Sequence, residues 1–307
     1  MGKRTYNAKR LSLERGDLLS VILLSPTLLI VIVVLIIPFV YGLSISLFDY
    51  NVGKALTPDS FVGLGNYAQM FKDKVVLKSL SNTVLFAVLA TAGDMALGTA
   101  IAVLLSKLKP TVSNILRAIC LMPLLVSPII VGLIWRYMYD PQSGLLYWFL
   151  GLFGIGTGQF PGLTSSSTAL ISVVIAHWWQ VTPFVILVVT AGLASIPQEQ
   201  YEAAQIDGAT GFDIFFKVTL PQLTRMYMVI LVVSGVDTVK VFDIIYALTQ
   251  GGPANSTVSL SIYAYKNAFE MYKMGYAMAI AILTIAITFI MFGIPFLRVN
   301  RKEEKEA

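Results

Sequence analysis

The sequence holds one cysteine, Cys120, and one histidine, His177, in 307 residues. A lone cysteine excludes an internal disulfide, and its apolar surroundings offer no partner for a metal site. One histidine, one cysteine and no ligand-type residues at metal spacing leave an intramembrane enzyme little to catalyse with. No catalytic set is expected, and the chain is not read as an enzyme. The pattern G-x-x-x-x-G-K-[ST] is absent, so no P-loop hydrolyses nucleotide here. Charge is scarce as well: Asp, Glu, Lys and Arg make up 13% of the chain against 56% hydrophobic residues. No small-residue cleavage site follows the first apolar run, so the basic start MGKRTYNAKRLSLERGD reads as an uncleaved tail, residues 1–17. The net charge of +5 is small and does not call for nucleic acid; in a membrane protein Lys and Arg mark the cytoplasmic side.

What remains is long apolar runs. A mean hydropathy of +0.76 over 307 residues describes an all-α polytopic membrane protein rather than a soluble core. Six spans are expected within 18–297: about 18–48, 79–106, 112–139, 168–195, from Pro221 to about 250, and from about 273 to 297. Pro26 and Pro38 are tolerable inside the first, where neighbours can satisfy freed carbonyls. Pro123 and Pro128 are expected to break the third. The apolar LLYWFLGLFGIG of the loop 140–167 is too broken to span and should lie at the interface. A charged tail, 298–307, closes the chain.

Orientation follows from the basic residues. With the N-terminus inside, inner segments hold Lys3, Arg4, Lys9, Arg10, Arg15, Lys107, Lys109, Arg117, Lys217, Arg225, Arg298, Arg301, Lys302 and Lys305. Outer segments hold Lys54, Lys72, Lys74, Lys78, Arg136, Lys266 and Lys273. That bias of about two to one places both termini in the cytoplasm. It also puts the segment 197–222 there.

This segment is a polar island, with Glu199, Glu202, Asp207, Asp213 and Lys217 crowded between apolar runs. Pro197 can open a short helix over 198–207, whose early acids face the positive end of its dipole. Gly208 is placed for a left-handed cap. Thr210 can cap a second short helix over 212–218, and Pro221 opens the next run.

The same segment, YEAAQIDGATGFDIFFKVTLPQL, resembles the EAA loop of binding-protein-dependent ABC importer permeases. The matching positions are Glu202, Ala203, Ala204, Gly208, Leu220 and Pro221, with Val218 where the family has isoleucine. FVGLGNY at 61–67 and the stretches PFVYGLSISLFDYN and LTQGGPANST extend the likeness to the maltose-type sugar permeases. Read alone, FVGLGNY is a glycine-rich turn with Phe61 and Tyr67 in the aromatic belt. The resemblance implies a type I importer permease, the six-helix core without the extra N-terminal helices and large outer domain of the maltose permease's F subunit. It implies an ATP-driven importer of a sugar or related polyhydroxylated solute in the cell membrane. It further implies four kinds of partner: a second permease, a dimer of ATPase subunits carrying ATP and Mg, an extracytoplasmic solute-binding protein, and surrounding lipid. The Glu202–Pro221 loop would dock on the ATPase.

Charges inside spans cost about 2.5–3.5 kcal/mol each on the insertion scale and need partners or a wet cavity. Asp94 in the second span stands alone among small residues, which predicts a hydrogen bond to a neighbouring helix; the sequence does not assign it a role in transport. Asp237, Lys240 and Asp243 fall three apart and can form a neutralising ladder on one helix face. His177, Gln180, Val181 and Phe184 share a face of the fourth span. That face is either packing around a satisfied histidine or a surface for sugar hydroxyls and a pyranose face. The resemblance implies the second, with Ser234, Asp237 and Thr238 of the fifth span as counterparts. Both sets begin about ten residues into their spans, ~15 Å deep in a core of ~30 Å. An ion-coupled secondary transporter of a small polar solute is the alternative, although no inverted repeat or pair of interrupted helices supports it.

Overall fold

The computed structural model describes residues 15–297, with side chains from residue 21 onward. The tail expectations for 1–14 and 298–307 lie outside the described residues. Among those residues the chain is helical; an antiparallel bridge between Phe48 and Phe61 is isolated from any strand.

Four helices are long and apolar enough to cross a membrane, and two bent pairs raise the number to six if each pair is one span. The first, α1 (Val21–Ile45), is exposed along 21–41 and meets the rest of the chain only near its end. A helix apolar on all sides is built for lipid or another subunit. After it, the FVGLGNY turn is a clamp. The Asn66 amide, on the short α2 (Gly65–Met70), donates to Ser46 O at 2.8 Å and Phe48 O at 2.9 Å. It thereby satisfies carbonyls left open where α1 ends. The Tyr67 hydroxyl meets Ser46 Oγ at 2.7 Å, so Tyr67 is tied inward rather than free in an aromatic belt.

Next comes α3 (Lys74–Ser106), which starts earlier than the expected residue 79. Asp73 caps it through the Val75 N–H at 2.8 Å and accepts from Tyr263 and Tyr276 at 2.8 and 2.9 Å. Partial burial pushes the Asp73 carboxyl up, but the two phenols and the backbone N–H groups outweigh it and hold it below the usual range.

The third span is broken as its prolines predict. α4 (Pro110–Leu121) runs into a 3-10 turn, and α5 (Pro128–Met138) leaves at 99°. Ser127 is extended, φ −58° and ψ 138°, as residues before proline are. α6 (Leu145–Gly151) is a two-turn surface helix with Trp148 and Phe149 exposed, too short to span.

The fourth span, α7 (Ala169–Ala194), makes the most extensive helix contact in the chain, against α3. Small residues allow it. A Cβ on Gly93 would fall 2.1 Å from the Trp178 indole, and one on Gly98 2.5 Å from Val185. The Trp178 Nε1–H is shared between Leu89 O and Ala90 O, each at 3.1 Å. Tight approach through glycine is the usual substitute for hydrophobic driving force inside a bilayer.

Two short helices, α8 (Gln198–Ile206) and α9 (Gly211–Gln222), follow. The second is longer than expected: it continues through a π-turn at Phe215–Thr219 and contains Pro221. The bend of 64° into α10 (Thr224–Val239) comes at Leu223 instead. The fifth span also stops short of residue 250. It breaks after Val239 and resumes as α11 (Asp243–Leu248), which packs on α5. Ser259 donates to the Val241 carbonyl freed by that break, at 3.2 Å. α12 (Leu260–Tyr265) and α13 (Met274–Leu297) complete the bundle.

Because Gly93 has no room for a side chain, Gly93→Ala should destabilise by about 1–3 kcal/mol through overpacking. The expected result is a lower melting temperature of the purified protein, partly restored by Trp178→Leu in the same chain. An unchanged melting temperature for Gly93→Ala would mean that α3 and α7 do not meet there.

Candidate functional site

A cavity of about 350 Å³ opens where the bend of the third span, the middle of α7 and the break after α10 converge. The bend of the third span contributes Leu124 and Pro128. The middle of α7 contributes His177, Gln180 and Val181. The end of α10 and the break beyond it contribute Asp237, Lys240, Phe242 and Asp243. Broken helices at membrane depth are tolerated where they line a cavity.

Each wall is held by a specific contact. The Gln180 amide donates to Val126 O at 2.9 Å, taking up a carbonyl that the proline bend frees. His177 is buried, 7% exposed, with the Phe86 ring edge-on at 5.3 Å. Its Nε2 lies 3.2 Å from Asp94 Oδ2, a close approach whose hydrogen-bond alignment is poor. The Thr182 hydroxyl donates to the other Asp94 oxygen at 3.3 Å. Asp94 is therefore tied to a neighbouring helix, as expected of a fully buried carboxylate, and its partners are Thr182 and the one histidine. Lys240 pairs with Asp237 at 2.9 Å, with the two side chains 58% and 65% exposed.

Of the seven residues expected around a solute, the cavity gathers four: His177, Gln180, Val181 and Asp237. Phe184 shares their helix face, but one turn further along it packs into the apolar cluster around Ala102, Val185 and Val189. Thr238 is turned to α3, its hydroxyl 2.6 Å from Gly235 O and 3.4 Å from Thr91 Oγ1. Ser234 is buried outside the cavity lining. The expected ladder is halved. The helix ends at Val239, so Lys240 and Asp243 are not on one continuous face, and the Asp237–Lys240 pair remains. Leu124, Pro128 and Phe242 were not foreseen as lining; the two prolines were the available signal.

A second site is the segment between α7 and α10. α8 ends at Gly208, φ +78°, with Gly208 N–H on Gln205 O and Ala209 N–H on Ala204 O, both at 3.0 Å. This is a Schellman cap, the left-handed ending that glycine favours. Thr210 and Asp213 then cap α9 reciprocally: Thr210 N–H donates to the carboxylate and Asp213 N–H to the Thr210 hydroxyl, each at 3.2 Å. Lys217 Nζ stands 2.6 Å from Asp213 Oδ1. Lys217 first, then Thr210, hold the Asp213 carboxyl at about 2, so the cap persists above that pH and is lost as pH falls through it. The Gln200 and Gln222 amides join the two ends of the segment. Glu202 and Ala203 are exposed, as are Ile206, Phe212 and Phe216. Ala204, Gly208, Asp213 and Val218 line a hollow of about 420 Å³ between the short helices. Exposed apolar side chains on a rigid polar segment describe a surface made for a partner. Pro221 is exposed and Leu220 half-buried at the far end.

Comparison with known proteins bears on both sites. Residues 94–297 match the family described as binding-protein-dependent transport system inner membrane component. The trehalose/maltose transport system permease protein MalF of Thermococcus litoralis is 37% identical over 284 residues, 92% of this chain and 94% of that protein. The diacetylchitobiose uptake system permease protein NgcF of Streptomyces coelicolor is 33% identical over 306 residues, 95% of this chain and 85% of that one. In three dimensions the chain resembles a subunit of a bacterial ABC transporter involved in import of the acidic polysaccharide alginate. The TM-score is 0.77 at 21% identity, over 95% of this chain and 97% of that one. The chain thus belongs to the family of binding-protein-dependent transport system inner membrane components: it is a membrane-spanning subunit of an ABC importer, whose ATPase is a separate subunit.

Proposed function

We propose that this chain forms part of the path of a sugar or related polyhydroxylated solute through the importer, and that the 350 Å³ cavity is its share of the solute site. The observation that carries the reading is the convergence of polar groups from two separate spans, His177 and Gln180 with Asp237, beside apolar Val181 and Phe242. Hydroxyls need such polar partners, and the carbon face of a sugar ring needs apolar ones. Phe184, Ser234 and Thr238 play no direct part in this version of the site.

The coupling segment, with Glu202, Ala203, Ala204, Gly208, Leu220 and Pro221, docks on the ATPase, which holds ATP and Mg. Its partners are completed by a second, homologous permease and an extracytoplasmic solute-binding protein. The excess of basic residues in the same set of loops supports cytoplasmic termini and a cytoplasmic coupling segment.

Uptake of labelled trehalose, maltose and diacetylchitobiose by the complete complex provides the test. For the sugar transported, His177→Ala, Gln180→Ala and Asp237→Ala should each lower uptake about 2- to 10-fold, the loss of roughly one hydrogen bond. Assembly of the complex should be unchanged. Wild-type uptake by all three variants would assign this face to packing.

Coupling is tested separately. A Cβ at Gly208 meets nothing within 4 Å, so a larger residue is opposed by its left-handed backbone, at roughly 1–2 kcal/mol, rather than by crowding. Gly208→Val should weaken ATPase binding to inside-out vesicles about 10-fold and abolish uptake while the chain still inserts. Binding of the ATPase to right-side-out vesicles instead would overturn the orientation.

A further inference from the structure

We infer that Asp94 is a positioning residue for the solute site: it engages His177 through Nε2 and leaves Nδ1 as the ring nitrogen open to a solute. This rests on the reading of the cavity as the solute's.

Asp94 does not line the cavity. It is 0% exposed on α3, with one oxygen 3.2 Å from His177 Nε2 and the other accepting from Thr182 at 3.3 Å. A buried carboxylate is an expensive way to fill a helix contact that Gly93, Gly98 and Val185 otherwise close with apolar atoms. What it adds is control of the imidazole. A neutral histidine donates from one nitrogen and accepts at the other, and a carboxylate at Nε2 selects the Nε2–H form. Nδ1 is then an acceptor. The Gln180 amide gives one N–H to Val126 O and keeps its oxygen as an acceptor, and the Lys240 ammonium is paired with Asp237. A solute hydroxyl meeting this wall can donate to His177 Nδ1 and to the Gln180 oxygen.

Because His177 is the one histidine in the sequence, a single labelled residue reports the state. The full chain, carrying ¹⁵N-histidine and no histidine tag, is placed in lipid nanodiscs and its ring nitrogens are observed by NMR. The expected spectrum shows a protonated Nε2 and a bare Nδ1. Asp94→Asn should shift both resonances, and Thr182→Val, which leaves the pair in place, should preserve the tautomer. An Nδ1–H tautomer in the unaltered chain, or a spectrum untouched by Asp94→Asn, overturns the inference. The measurement needs no solute. A wrong tautomer with impaired His177→Ala uptake removes Asp94's role alone. The right tautomer with normal His177→Ala uptake removes the solute reading and with it any transport role for the pair.

Discussion

The contact between α3 and α7 sets the terms for the rest of the structure. Gly93 and Gly98 bring the two helices close enough that Trp178 and Val185 fill the space side chains would occupy. At that separation Asp94 has no access to water and must find its partners on α7. Those contacts hold the His177 ring against α3. One turn later α7 presents Gln180 to the bend of the third span. The cavity is what remains when a bent span, a straight one and a broken one are pinned to each other by these few polar contacts.

The coupling segment is joined to that frame by packing as well as by sequence. Leu223 stands at the bend between α9 and α10 and is fully buried. Its side chain, with Met226, fills the space over Gly192 near the end of α7. Thus α7 and α10, which carry His177, Gln180 and Asp237, meet at the base of the segment. The segment itself is stiffened at each turn by the Schellman cap at Gly208, the Thr210–Asp213 box and the Lys217 pair. A rigid element set on two helices can pass a displacement to both, because packed interfaces shift between discrete arrangements rather than yield continuously.

Much of this was legible in the sequence. Hydropathy located the spans, Pro123 and Pro128 located the sharpest bend, and Gly208 and Thr210 located the caps, because each signal acts on its own backbone. What was hidden depends on rotation and on distant partners. Helical spacing put Phe184 on the face of His177, yet it could not say how far along that face the cavity reaches. Ser234 and Thr238 flank Asp237 in sequence, but the turn of α10 sends them to α3 and into the core. The end of α10 at Val239 has no proline or glycine to announce it; the partner of its freed carbonyl at Val241 is Ser259, far along the chain. Asp94 was correctly expected to bond across helices, but only the fold identifies His177 as its partner.

The central claim is that this cavity is part of a pathway opened and closed by the ATPase. The most direct test is a cysteine at Val181, in a chain whose Cys120 is replaced by serine, within the complete complex in proteoliposomes. A small, water-soluble thiol reagent should modify Val181→Cys without nucleotide, and the rate should change at least ~10-fold when ATP and vanadate trap the ATPase closed. Equal rates in both states, or no modification in either, would contradict the account.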